Sequence, residues 1–130
     1  MVEAVVRMHS VVLDCPDPGA LAGFYARLLG GTVRGEGRWV DLDVPGSYKI
    51  AFQEAPGFVP PRWPRADGHS QQLHLDFDAG STMEEIEAAQ EKALSLGARP
   101  LDLDDDGGKR DFRVYADPAG HPFCLCRIEH

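Results

Sequence analysis

The chain reads twice. From Met8 to Phe52 an alternating apolar segment, a helix with a clear start signal, and strand-like segments ending beyond a Gly turn follow one another; from Gln71 to Cys126 the same order returns. The first helix follows Asp17-Pro18 and carries Leu21, Phe24, Tyr25 and Leu28, an i, i+3, i+4, i+7 stripe. The second follows Ser81-Thr82 and carries Ile86, Ala89, Ala93 and Leu96. A duplicated strand–helix–strands unit predicts an α+β fold with a curved sheet and one concave face, and where that face encloses a pocket, function should lie in it. Module one is expected over 5–54, a linker loop over 55–70 and module two over 71–128, all within one domain of 130 residues.

Local signals place the elements. Residues 8–15 alternate as a strand, with Val11 and Leu13 on one side and Ser10, Val12 and Asp14 on the other. Asp17 supplies an N-cap acceptor, Pro18 sits at the first helical position, and Gly30-Gly31 stops the helix. Thr32–Arg34, Arg38–Val44 and Tyr48–Glu54 read as strands between Gly35-Glu36-Gly37 and Pro45-Gly46 turns. In the second half Gln71–Asp78 alternates, and Ser81 with Glu84 or Thr82 with Glu85 makes a capping box. Arg99–Leu101, Asp111–Ala116 and His121–Ile128 are strands, the last two joined by Asp117-Pro118-Ala119-Gly120, which has type I turn preferences. Asp102, Asp104 and Asp106 have a calcium-like spacing, but no glutamate closes the loop, so a solvated turn is expected.

Composition narrows the function. The net charge of −8 argues against nucleic acid and anionic membranes as partners. Three cysteines, two of them in a Cys124-x-Cys126 pair, make no disulfide framework and fit a reducing cytoplasm. The N-terminus lacks the pattern of a signal peptide, and no segment has the apolar length to span a bilayer.

Several runs together resemble the vicinal oxygen chelate superfamily, which includes glyoxalases, bleomycin-resistance proteins and dioxygenases. They are Val12-Leu13-Asp14-Cys15-Pro16-Asp17-Pro18 with Phe24-Tyr25 and Leu28-Leu29-Gly30, Gln72-Leu73-His74-Leu75-Asp76, Leu96-Gly97-Ala98, and Tyr115 through Phe123. The glyoxalase-like domains are the most similar branch. The resemblance implies an α+β fold of two βαβββ modules forming a curved mixed sheet around a shared pocket and, in metal-dependent members, four ligands, one on the first and one on the last strand of each module, usually His and Glu. Carried over, these positions fall on Ser10, Ile50, His74 and Cys124. One imidazole, one thiol, one hydroxyl and one alkyl group make a poor metal site. No metal and no other cofactor is therefore expected.

Alternation places a candidate ligand-binding set on the concave face: Ser10, Trp39, Tyr48, Ile50, Phe52, Glu54, Gln72, His74, Asp76, Arg113, Tyr115 and Cys124, with Trp63 reaching over from the linker. Val12, Asp14, Asp41 and Cys126 fall on the same side. Either Trp39, Phe52 and Tyr115 line a pocket for stacking or they fill the sheet interior. Arg113 suits a carboxylate, and His74, the candidate catalytic residue, suits a base near neutral pH. The expectation is a small-molecule-binding protein, a homodimer by family resemblance. The alternative is a metal-dependent lyase, isomerase or dioxygenase with relocated ligands, in which His74 and Glu54 hold a divalent metal. A third reading is a partner-binding subunit with a filled interior.

Overall fold

The computed structural model describes residues 1–46, 48–64 and 68–128. The chain forms two compact units, Met1–Phe58 and Val59–His130, and the division falls inside the expected linker. Each unit is a βαβββ module around one four-stranded mixed sheet, the predicted α+β architecture.

In the first unit β1 (Ser10–Cys15) leads into α1 (Pro18–Leu29), then β2 (Thr32–Arg34), β3 (Trp39–Asp43) and β4 (Lys49–Glu54). The strand order is β1-β4-β3-β2, with β1 parallel to β4 and the other pairs antiparallel. The predicted cap forms: Asp17 accepts from the Ala20 N–H at 3.2 Å, and Pro18 opens the helix. Leu21, Phe24 and Tyr25 of the helix stripe are buried. Tyr25 stacks on Phe52 of β4 with ring centroids 5.8 Å apart, so the helix covers the face carrying Leu13, Val40, Leu42, Ile50 and Phe52. Gly31 has φ +105°, and a Cβ there would run into the Asp43 carbonyl, so the turn from α1 to β2 tolerates only glycine.

The second unit repeats the plan. β5 (Leu75–Asp78) leads into α2 (Met83–Ser95), β6 (Arg99–Asp102), β7 (Phe112–Ala116) and β8 (Pro122–Cys126), in the order β5-β8-β7-β6. Of the two capping boxes the sequence offers, Thr82 with Glu85 forms: Thr82 Oγ1 accepts from the Glu85 N–H at 3.1 Å, and Glu85 Oε1 accepts from the Ser81 N–H at 3.3 Å. The Thr82 hydroxyl, which also donates to Glu85 Oε1 at 3.1 Å, and after it the Ser81 N–H hold the Glu85 carboxyl below the usual range. The Asp117–Gly120 turn forms as predicted, with Gly120 N–H donating to the Asp117 carbonyl at 2.8 Å. Among the described residues no helix is long and apolar enough to cross a membrane.

Candidate functional site

In both modules one sheet face is covered by the helix and the other is not, and strand register decides which side chains lie on each. In the first module Trp39 pairs with Gln53 and Gln53 with Asp14; Asp41 pairs with Ala51 and Ala51 with Val12. Directly paired residues share a face, so Val12, Asp14, Trp39 and Asp41 lie together on the open side, as alternation predicts. Trp39 is 45% exposed and its Nε1–H donates to Asp41 Oδ1 at 3.0 Å; Gln53 Nε2 donates to Asp14 Oδ1 at 3.1 Å.

Tyr48, Ile50, Phe52 and Glu54 do not join them. Ile50 pairs with Leu42 and Phe52 with Val40 and Leu13, all on the helix side, and Phe52 is fully buried against Tyr25. Tyr48 precedes the strand and is exposed. Glu54, at the strand end, places its carboxylate 3.7 Å from Arg38 Nε. The misplacement has a physical cause. Two residues separate Gly46 from Lys49, the first residue of β4, and one separates Gly120 from Pro122, the first of β8. Superposing the two turns therefore slips the register by one, and a one-residue slip exchanges the faces. Ala51, not Ile50, occupies the open-face position that matches Cys124. Ser10 pairs with Lys49 at the start of β1.

Arg113 and Tyr115 also lie on the helix side. They pair with Leu125 and Phe123, and Tyr115 stacks on Phe123 at 5.5 Å. The Tyr115 hydroxyl donates to Gln90 Oε1 of α2 at 2.6 Å, and burial raises its pKa to about 12. Arg113 donates to Gln90 at 3.1 Å, Glu87 at 3.0 Å and Asp105 at 2.7 Å. Its guanidinium in turn holds the Asp105 carboxyl below the usual range. Gln90, Glu87 and Asp105 carry no sequence signal for this role. The acidic Asp102–Lys109 stretch is thus more than a solvated turn: Asp105 holds Arg113, and Asp102 pairs with Arg110 at 3.1 Å.

On the open side of the second sheet His74, Asp76 and Cys124 converge. Asp76 and Cys124 are register partners across β5 and β8, and His74 lies two residues before Asp76, just ahead of a strand that begins later than alternation predicts. His74 Nε2 is 3.2 Å from Asp76 Oδ1, and one ligand atom from each of the three residues lies within 4.8 Å of the others. Trp63 stands beside them, its ring centroid 6.4 Å from that of His74 in an edge-to-face arrangement. Gln72 is exposed, whereas the neighbouring Gln71 Oε1 is buried with no hydrogen-bond partner among the described residues. Burial first, and then the Asp76 carboxylate, push the Cys124 thiol up to about 12; burial raises Cys126 to about 11. Neither is an activated nucleophile near neutral pH.

The sequence profile of the glyoxalase-like domain family matches residues 10–126. The chain belongs to that family. It is thereby a member of the vicinal oxygen chelate superfamily. A search of curated proteins finds no significant match. Among solved structures, this glyoxalase-like domain is similar to a hypothetical protein from S. aureus, with 17% identity, 97% of this chain and 96% of that one covered, and a TM-score of 0.68. A glyoxalase/bleomycin resistance protein/dioxygenase family enzyme from Burkholderia phytofirmans has 17% identity, 92% and 97% coverage and a TM-score of 0.68. A mutant of the fosfomycin resistance protein FosX from Listeria monocytogenes, complexed with Mn(II) and 1S,2S-dihydroxypropylphosphonic acid, has 14% identity, 97% and 95% coverage and a TM-score of 0.67. At these identities the likeness is one of fold.

The four positions where metal-dependent members of the superfamily hold their ion read Ser10, Ala51, His74 and Cys124 once the register is corrected. A methyl group and a hydroxyl in the first module do not complete a set of nitrogen and oxygen ligands. The usual two-module metal site does not fit this chain.

Proposed function

We propose that this glyoxalase-like domain binds a small molecule on the open face of its second module, with no need of the family's usual metal. The observation that carries the reading is the convergence of His74, Asp76 and Cys124 beside Trp63. An imidazole, a carboxylate and a thiol give a ligand directional partners, and the indole gives it an apolar surface, the common make-up of a small-molecule site. Membership of a superfamily whose members bind small molecules supports it. The cytoplasm and a homodimeric assembly belong to the same proposal, the first from the free cysteines and the second from the family resemblance.

The test is a thermal-shift screen of small aromatic and amphipathic compounds on chelator-treated protein, followed by titration calorimetry. A compound that binds in the micromolar range, with affinity reduced about tenfold or more in Trp63→Ala and His74→Ala, is the expected result. Binding unchanged in both variants, or no compound bound below millimolar concentration, overturns it. The second reading, a metal-dependent lyase, isomerase or dioxygenase with relocated ligands, is favoured by the proximity of the three donor atoms in the second module. Glu54, the relocated ligand that alternation suggests, is engaged with Arg38 instead.

A further inference from the structure

The face of the second sheet that α2 covers is not completely filled. Between the first turns of α2, the acidic loop, the start of β7 and the end of β8 lies a recess of about 220 Å³, measured to its open mouth. We propose that this recess is a second binding site, on the opposite side of the sheet from His74, for a small uncharged molecule that carries a carbonyl group on an apolar body. The inference does not rest on the open face of the module, and either site can bind without the other.

Met83 and Ile86 of α2, Phe112 of β7 and Leu125 of β8 supply the apolar wall. Leu125 and Arg113 are register partners, so both face the helix. The polar wall includes the guanidinium groups of Arg110, Arg113 and Arg127. Two of these hold an unused donor. The Nε atoms of Arg110 and Arg113 are buried and have no hydrogen-bond partner among the described residues, and Arg113 as a whole is only 8% exposed. Their terminal nitrogens are tied to Asp102, Glu87, Asp105 and Gln90, and the Arg110 guanidinium lies 4.1 Å above the Phe112 ring. Buried donors in folded proteins are nearly always paired. A guanidinium fixed at its terminal nitrogens cannot turn its Nε–H to a new partner without breaking those bonds. An acceptor brought in from solution pairs it with no such loss.

Charge selects the ligand. Asp102, Glu87 and Asp105 already neutralise Arg110 and Arg113, and Asp111 joins Asp105 in the wall of the recess. Arg127, which donates to the Gly108 carbonyl at 2.9 Å, brings the guanidiniums to three against those four carboxylates. An anion would add a further negative charge where the arginines are already matched. A cation would bring donors to donors. A carbonyl oxygen offers two lone pairs and no charge, and an apolar body behind it covers Met83, Ile86, Phe112 and Leu125. The size suits such a molecule, since an engineered apolar cavity of about 150 Å³ accepts benzene.

Benzamide, benzoate and benzamidine share a shape and differ in charge, so NMR titration of the full, isotope-labelled chain with each of them tests the proposal. Benzamide is expected to bind with a dissociation constant of about a millimolar, to shift the Arg110 and Arg113 Nε–H signals, and to bind about tenfold or more tightly than either charged analogue. Arg110→Met keeps an unbranched stem against Phe112 but removes the donor, and Met83→Trp narrows the recess from the helix side. Each should weaken benzamide about tenfold; circular dichroism establishes that they are folded, and the two variants alter different walls, so one serves if the other does not fold. Trp63→Ala and His74→Ala should leave benzamide binding unchanged, which separates this site from the open face. No saturable shift up to the solubility of benzamide, tighter binding of benzoate or benzamidine, unchanged affinity in a folded Arg110→Met or Met83→Trp, or loss of binding in Trp63→Ala overturns the proposal.

Discussion

Asp117 shows how much one side chain can fix. Its Oδ1 accepts from the Ala119 N–H at 2.9 Å and the His121 N–H at 3.0 Å, its own N–H donates to the His121 carbonyl at 2.9 Å, and it is fully buried. The turn preference of an aspartate before Pro118 is legible in the sequence; the burial is not, because it depends on how the β7–β8 hairpin packs. Removing the carboxylate leaves two buried N–H groups without a partner, at a cost of about 1–3 kcal/mol. Asp117→Ala should lower the unfolding free energy by that amount in urea denaturation at neutral pH, and Asp117→Asn, which keeps an acceptor, should lower it less. His74 is the opposite case at this scale. Its type and position mark it in the sequence, but its partners Asp76, Cys124 and Trp63 come together only through the β5–β8 register and the fold of the preceding loop.

At the scale of elements, both helices and their caps are legible, because Asp17-Pro18 and Thr82-x-x-Glu85 are local chemistry. The faces of the strands are harder. In β3 the polar side, Trp39, Asp41 and Asp43, is distinct from Val40 and Leu42, and the reading holds. In β7 the rule inverts: Arg113 and Tyr115 face the helix while Val114 and Ala116 face away, because the polar helix α2 offers Gln90 and Glu87 to satisfy them. No period-two pattern contains that information. In β4 the apolar Ile50 and Phe52 signal the core, and only the unequal turn lengths of the two modules disguise it. A paired substitution checks the assignment. Phe52→Ala should cost about 3–5 kcal/mol, the range for a fully buried aromatic. Trp39→Ala, on the open face, should stay within about 0.5 kcal/mol. Equal losses in denaturant titrations would mean that the open face of the first sheet is also core.

Across the whole molecule 21 acidic residues face 13 lysines and arginines, so stability depends on which carboxylates are tied down. Among the described residues two have pKa values held low by their partners: Asp105 by Arg113, and Glu85 by Thr82 and Ser81. A carboxylate with a depressed folded-state pKa adds stability that is complete above its unfolded value and is lost as pH falls through the folded one. The window therefore opens in the ordinary carboxylate range, about 4, and extends below it. Asp105 matters more to the architecture, because its partner Arg113 is buried and its carboxylate ties the acidic loop to β7. In Asp105→Asn the charge-dependent part of this stabilisation is absent at every pH. The stability difference between the native chain and Asp105→Asn should thus be largest near neutrality and shrink steadily below about pH 4. Urea titrations across that range measure it; a difference that stays constant down to the acid limit would show that the Asp105–Arg113 pair contributes through packing and not through its charge.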